Sequence, residues 1–207
     1  LLTRPLDDCY EMILKFQSLG HQISHLPLLK IEKVDYEHIN FLEYGAIIFT
    51  STNAVKFLDQ KKKIDKNILC FCVGNVTEKK ARSVGFQNVI AAEGNVENLK
   101  ELILQNFDKK KGKLIYVSGE IISTDLDNHL IESGYSIKRV INYRTNHNEK
   151  FDENFVEKLK INKPDIVYVY SQNSALSFLK FIKVYQSENL WMDTNLMCIG
   201  EKTSSIL

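Results

Sequence analysis

The chain has too few cysteines, too widely scattered, for a disulfide framework. Four occur in 207 residues; Cys70 and Cys72 alternate along one apolar run, while Cys9 and Cys198 stand apart. A Cys-x-Cys pair on one strand face reads as small apolar packing rather than half a zinc site, and such thiols suit a reducing compartment. Of the five histidines only His21 and His25 are close, with no Cys or acidic partner nearby, so no metal is expected. No apolar stretch reaches membrane-spanning length, and no charged-then-apolar signal segment opens the chain. A cytoplasmic protein is expected. Charge of one sign is also missing: a net charge of +1 leaves no basic excess to recruit nucleic acid. The clusters Lys61-Lys62-Lys63 and Lys109-Lys110-Lys111 each precede a strand-like run and read as solvated loops. Because the sequence opens without Met and stops at Leu207 inside an expected helix, trimmed ends are expected.

What the chain does contain is a repetition. Ile47-Ile48-Phe49-Thr50-Ser51-Thr52-Asn53-Ala54-Val55 returns as Val167-Tyr168-Val169-Tyr170-Ser171-Gln172-Asn173-Ser174-Ala175. In both copies an apolar run ends in Ser-x-Asn and then turns amphipathic. Cys72-Val73-Gly74-Asn75-Val76-Thr77 returns as Cys198-Ile199-Gly200-Glu201-Lys202-Thr203. The opening stretch, residues 1–30, is echoed by 114–144, with Leu19-Gly20 answering Ser133-Gly134. Colinear self-similarity of this kind means two related lobes, and ligands often bind where two lobes face each other.

Short apolar runs alternate with helical stretches, the pattern of βα units and a parallel sheet. Strands are predicted at residues 1–3, 22–26, 46–50, 69–73, 88–91, 114–117, 136–141, 166–170 and 196–199. Helices are predicted at 7–19, 51–60, 77–84, 96–106, 123–133, 154–159, 173–184 and from 203. Thr77 and Thr203 each follow a Gly by three residues, which places a hydroxyl near a helix N-cap. Asn95 and the Ser123-Thr124-Asp125 run mark other starts, and Gly20, Gly85 and Gly134 mark helix ends. Two charged connections, 31–43 and 145–164, fall at equivalent places and predict two crossings between lobes. One lobe would then be continuous over 32–145, the other built from 1–31 and 146–207.

Open α/β sheets bind ligands where strand ends meet helix N-termini. Here those ends read Thr3-Arg4-Pro5, Thr50-Ser51-Thr52-Asn53, Gly74-Asn75-Val76-Thr77, Ser118-Gly119-Glu120, Ser171-Gln172-Asn173 and Gly200-Glu201-Lys202-Thr203. The inventory is hydroxyls, amides and exposed N–H groups. It lacks a Cys–His pair, a Ser–His–Asp set in motif context and both glycine-rich nucleotide motifs. Such a site suits anion binding rather than attack by a strong nucleophile. Ser51, Asn53, Ser171 and Asn173 read as N-caps, worth about 1 kcal/mol each, with ligand contact as the alternative. Thr77 and Thr203 divide in the same way. Pro5 fixes the chain after Arg4 and is expected to leave its guanidinium free, although a surface arginine is the default. Tyr143, on the predicted crossing, is either interface packing or a cleft residue.

Thr3-Arg4-Pro5, Phe49-Thr50-Ser51-x-Asn53-Ala54-Val55 and Val73-Gly74-x-x-Thr77, followed by Tyr143-x-Thr145, Ser171-x-Asn173 and Ile199-Gly200-x-x-Thr203, resemble the uroporphyrinogen-III synthase family in order and spacing. The likeness runs from Leu1 to Ile206. It implies two flavodoxin-like parallel-sheet lobes joined by a two-segment linker, acting as a monomer on linear hydroxymethylbilane without cofactor or metal. The implied reaction loses water, inverts the terminal pyrrole ring and closes uroporphyrinogen III. By the same resemblance Tyr143 is the candidate proton donor. Arg4, Ser51, Asn53, Thr77, Ser118, Gly119, Ser171, Asn173 and Thr203 are the candidate substrate contacts.

The chain departs from the family in three places. Ser118-Gly119-Glu120 stands where an Arg-Gly is common, Glu201 and Lys202 fill positions usually small or apolar, and the last strand and helix of the end-built lobe are expected to be missing. Two other readings stay open. One is a two-lobed solute binder without catalysis. The other is a receiver-type signalling module, whose acidic cluster only Asp7 and Asp8 approach.

Overall fold

The computed structural model describes residues 1–59 and 64–207. The Lys61-Lys62-Lys63 cluster and the end of the predicted 51–60 helix lie outside them. In chain order the elements begin with α1 (Leu6–Ser18), β1 (Leu29–Lys33), β2 (Tyr44–Phe49), α2 (Thr52–Lys56), β3 (Leu69–Val73), α3 (Gly74–Ser83), β4 (Val89–Ala92) and α4 (Val96–Asn106). They continue with β5 (Lys113–Gly119), α5 (Leu126–Glu132), β6 (Ile137–His147), α6 (Glu153–Ile161), β7 (Ile166–Val169), α7 (Gln172–Val184), α8 (Glu188–Trp191), β8 (Asn195–Cys198) and α9 (Glu201–Ser204). The chain divides into two compact units, Glu32–Thr145 and Leu1–Ile31 with Asn146–Leu207.

The larger sheet has strand order β1-β6-β5-β2-β3-β4, with β2, β3, β4 and β5 wholly within the 32–145 unit. The pairs β2–β3, β2–β5, β3–β4 and β5–β6 are all parallel. Period-two alternation explains why its strands read as unbroken apolar runs. Ile47 and Phe49 face a core holding Ala54 and Val55 of α2 and Ala81 of α3. Ala46 and Ile48 face the opposite core, with Leu99 and Ile103 of α4 and Leu126 and Leu130 of α5. Each Val, Ile, Leu or Phe among them gains about 1.5–3 kcal/mol by full burial, so both faces must be covered. The direction of winding reverses between β2 and β5, which makes the carboxyl ends of these strands the topological switch point.

The other unit is built round a shorter sheet. β7 pairs with β8 in parallel, and Leu2 forms isolated parallel bridges to both His25 and Tyr168. The strands predicted at 1–3 and 22–26 are therefore reduced to single bridges. Three backbone bonds join them, from Leu2 N to Ser24 O (3.0 Å), from Leu26 N to Leu2 O (2.9 Å) and from Leu28 N to Thr3 O (3.1 Å). Leu26, Leu28, Val167, Val169, Phe178 and Phe181 form its core, with Trp191 edge-on to Phe178 at 5.0 Å between centroids.

Helix ends follow local chemistry. Asn95 starts α4 with a reciprocal capping box to Asn98. Gly20 and Gly134, at φ +85° and +83°, follow α1 and α5 in the left-handed conformation that a side chain resists. Asp125, however, precedes α5 without capping it, so that helix starts later than predicted. Lys109–Lys111 form a single 3₁₀ turn capped by Asp108.

Candidate functional site

In the 32–145 unit the polar residues collect where β5 and β6 end. Register places Tyr116 opposite Arg139, Ser118 opposite Ile141 and, past an irregularity, Gly119 opposite Tyr143. The Tyr143 ring lies directly over Gly119. A Cβ on Gly119 would stand 2.6 Å from Tyr143 Cζ and 2.9 Å from its Oη. The same ring stacks on Phe57, with centroids 6.4 Å apart and planes at 27°. Glu120 N donates to Tyr143 O at 2.9 Å, so the two strand ends are stitched together just beyond this contact.

Three partners here were not singled out from sequence. Asn142 is fully buried beside Tyr143, and its Nδ2 donates to Ala54 O at 2.7 Å, tying β6 to α2. Its signal was an amide within an apolar run. Tyr116 shares a 2.9 Å hydrogen bond with Thr50 Oγ1 across the switch point. Burial pushes the Tyr116 phenol up, while the Thr50 hydrogen bond and the Arg139 charge oppose the shift. Arg139 donates from Nε to Ser118 Oγ at 2.9 Å, and from Nη2 to Gly119 O and Glu120 O, both at 2.9 Å. Its signal was a cation in phase with the apolar Ile137 and Ile141 of its strand, whereas Lys138 beside it points to the other face.

The remaining candidates of this unit occupy neighbouring strand ends. Ser51 follows β2 and caps α2, accepting from Asn53 N at 3.2 Å, with Asn53 half-buried in the first turn. Thr77 is not a cap. α3 begins at Gly74 behind Val73, without a side-chain cap, and leaves Thr77 buried one turn in. Gly74 itself has φ +74°, a turn that favours glycine.

In the other unit Arg4 is exposed, but its guanidinium is not free. It lies over the Tyr170 ring at 5.0 Å, and Arg4 O accepts from His25 Nε2 at 2.7 Å when that nitrogen carries the proton. Burial pushes the Tyr170 phenol up and Arg4 opposes it. Ser171 caps α7 by accepting from Ser174 N at 3.1 Å, with Asn173 half-buried in the next turn. Gln172 Nε2 donates to Lys202 O at 3.2 Å, joining α7 to α9. Thr203, like Thr77, is buried inside its helix, which starts behind Gly200. The repeated Gly-x-x-Thr thus buries a threonine in the first turns of each helix instead of capping it.

The structure brings Ser118, Gly119 and Tyr143 into one cluster with Arg139, and places Ser51, Asn53 and Thr77 at adjoining strand ends of the same sheet. Arg4, Ser171, Asn173 and Thr203 belong to the second unit. Chemically the cluster offers hydroxyls, a phenol, N–H groups and a guanidinium. Cys70 and Cys72 lie buried with their sulfurs 3.7 Å apart; their mutual hydrogen bond, then burial, push the Cys70 thiol up and keep it protonated. Among the described residues no three His, Cys, Asp or Glu side chains gather as metal ligands. No described helix is long and apolar enough to cross a membrane.

These features define a two-unit parallel α/β protein with donor-rich strand ends. The profile of the family described as uroporphyrinogen-III synthase HemD matches residues 11–207, and the chain belongs to that family. A curated relative, the porphyrin biosynthesis protein HemD of Ruminiclostridium josui, is 24% identical over 219 residues. That match covers 99% of this chain and 42% of the relative, so the chain spans about two-fifths of its length. Among solved structures, the uroporphyrinogen-III synthetase of Helicobacter pylori superposes with TM-score 0.65 at 21% identity, over 90% of this chain and 83% of that one. A mutant uroporphyrinogen III synthase of the extremely thermophilic bacterium Thermus thermophilus gives TM-score 0.56 at 14% identity, over 100% and 86%. At these identities the structural likeness establishes the fold alone.

Proposed function

We propose that this chain closes linear hydroxymethylbilane to uroporphyrinogen III, with loss of water and inversion of the terminal pyrrole ring. The observation that carries the reading is the family match over residues 11–207. The donor set at the strand ends agrees with it.

The chemistry asks little of a nucleophile. The electron-rich pyrrole at the hydroxymethyl end of the chain expels the hydroxyl group, which leaves as water once a proton reaches the oxygen. The substituted carbon of the last ring then attacks, giving a spiro intermediate that reopens and recloses with the ring inverted. The protein's task is to hold the chain in the folded conformation, and orientation can supply about 7–11 kcal/mol. Tyr143 is the proposed proton donor. Its ring is held by Gly119 and Phe57, which leaves the phenol to act as an oriented acid. Ser51, Asn53, Thr77 and Gly119, with Arg4, Ser171, Asn173 and Thr203, are the proposed direct substrate contacts, and Ser118 is proposed to act on the substrate through the residue it holds. Hydrogen bonds to charged groups contribute about 1.5–3 kcal/mol each, enough for N–H and hydroxyl donors to hold a polycarboxylate without a large positive charge. A cytoplasmic monomer working without cofactor or metal, and without nucleic acid or membrane partners, completes the reading.

The test is a coupled assay. Hydroxymethylbilane is generated in situ, the protein added, the products oxidised and the porphyrin isomers separated. Predominance of type III over the spontaneous type I is expected. Type I alone, from folded protein, would sink the synthase reading and favour a two-lobed binder.

A further inference from the structure

We infer that Arg139 is the carboxylate-recognising cation of the 32–145 unit, held in place by Ser118; the inference rests on the synthase reading and deepens it. The guanidinium is oriented without being neutralised. Its Nε and Nη2 serve Ser118 Oγ, Gly119 O and Glu120 O, all uncharged acceptors. No carboxylate pairs with it among the described residues. The other arginines with assigned partners differ: Arg82 is bound to Glu78 at 2.9 Å, and Arg4 rests on an aromatic ring.

Arg139 is half-buried, and its Nη1 has no partner among the described residues. With Nε and Nη2 spent on these acceptors, the two N–H groups of Nη1 remain for a carboxylate; a guanidinium fixed in this way loses little further freedom on meeting one, and it keeps its full charge to do so. Ser118 is buried, accepts from Arg139 and donates to Gly119 O at 3.1 Å. The proton and one lone pair of that buried hydroxyl are therefore spent on the protein, so Ser118 is a positioning residue and the charge is Arg139's.

The location ties this cation to the proposed chemistry. The Glu120 peptide is bonded on one side, through its N–H, to Tyr143 O, and on the other, through its carbonyl, to Arg139. A carboxylate held by Arg139 would thus anchor the substrate beside the phenol proposed to protonate its leaving group. A cation is present at this strand end although residue 118 is serine, because it arrives from the neighbouring strand.

The experiment compares wild type, Arg139→Gln, Arg139→Lys and Ser118→Ala. Steady-state kinetics on hydroxymethylbilane are read together with melting temperature and with fluorescence-monitored binding of uroporphyrin III, a polycarboxylate stand-in. The expected result for Arg139→Gln is KM raised about tenfold, with a smaller change in kcat and loss of the salt dependence shown by wild-type KM. Arg139→Lys, which keeps the charge without the fork, should fall between. A folded Arg139→Gln variant with unchanged KM and unchanged uroporphyrin binding overturns the inference and leaves Arg139 a structural clamp. If Arg139→Gln fails to fold, Ser118→Ala decides: a raised KM supports the inference, an unchanged one overturns it. If wild type makes no type III isomer, the synthase reading fails separately. The uroporphyrin arm still judges Arg139, with equal binding by wild type and variant overturning its role.

Discussion

Gly119 and Tyr143 share one volume: the ring of Tyr143 occupies the space that any side chain at 119 would need, 2.6 Å from its would-be Cβ. Gly119→Ala must displace the ring or open the β5–β6 junction. Destabilisation of about 1–3 kcal/mol is expected, typical of overpacking, together with loss of type III formation in the folded fraction. Denaturant unfolding and the isomer assay measure both. A variant with native stability and native turnover would show that Tyr143 has room to move.

Tyr143→Phe keeps the stack on Phe57 and removes only the phenol. Turnover of hydroxymethylbilane should fall about 100-fold, the scale of a lost general acid, with the melting temperature nearly unchanged. Full turnover by Tyr143→Phe would remove the residue from the mechanism.

Ser51 and Thr77 should behave differently, because one caps a helix and the other is buried. Ser51→Ala and Ser171→Ala each lose a cap bond, so each should cost about 1 kcal/mol of stability. Thr77→Val keeps volume and removes the hydroxyl. If Thr77 touches substrate, KM should rise in that variant while the structure survives. Equal KM for Thr77→Val and wild type, read beside circular dichroism, would assign Thr77 to packing alone.

His147 predicts how stability depends on pH. Its Nδ1 lies 2.5 Å from Ser177 Oγ, and burial, reinforced by the charge of Lys180 and opposed by Glu149, pulls its pKa below 6.5. In the folded state His147 therefore gives up its proton more readily than in the unfolded chain. Between the two pKa values the unfolded chain binds more protons, so stability rises with pH across that window. This contribution is complete above about pH 6.5 and is lost as pH falls through the unfolded value towards the folded one. Melting temperatures across this range should drop more steeply on acidification for wild type than for His147→Gln. Parallel curves would place the sensitivity elsewhere.

Much of the fold was legible because burial on both faces leaves a mark that is local in sequence. The unbroken apolar runs around Ile47, Phe71 and Ile115 became the central strands β2, β3 and β5. The asparagine before Val96 and the serines before α2 and α7 capped their helices as side-chain chemistry requires.

The contacts that define the site were decided only by tertiary structure. Arg139 meets Ser118, and Gly119 meets Tyr143, through strand register and the irregularity at the end of β5, which no periodicity in the sequence reveals. Thr77 and Thr203 are buried rather than capping because their helices already begin at Gly74 and Glu201, where the backbone turns without a side-chain cap. The sequence by itself determined where strands and helices form, since propensity and alternation act over a few neighbouring residues. Which side chains share space, and which cation reaches which carbonyl, was set by packing between residues distant along the chain.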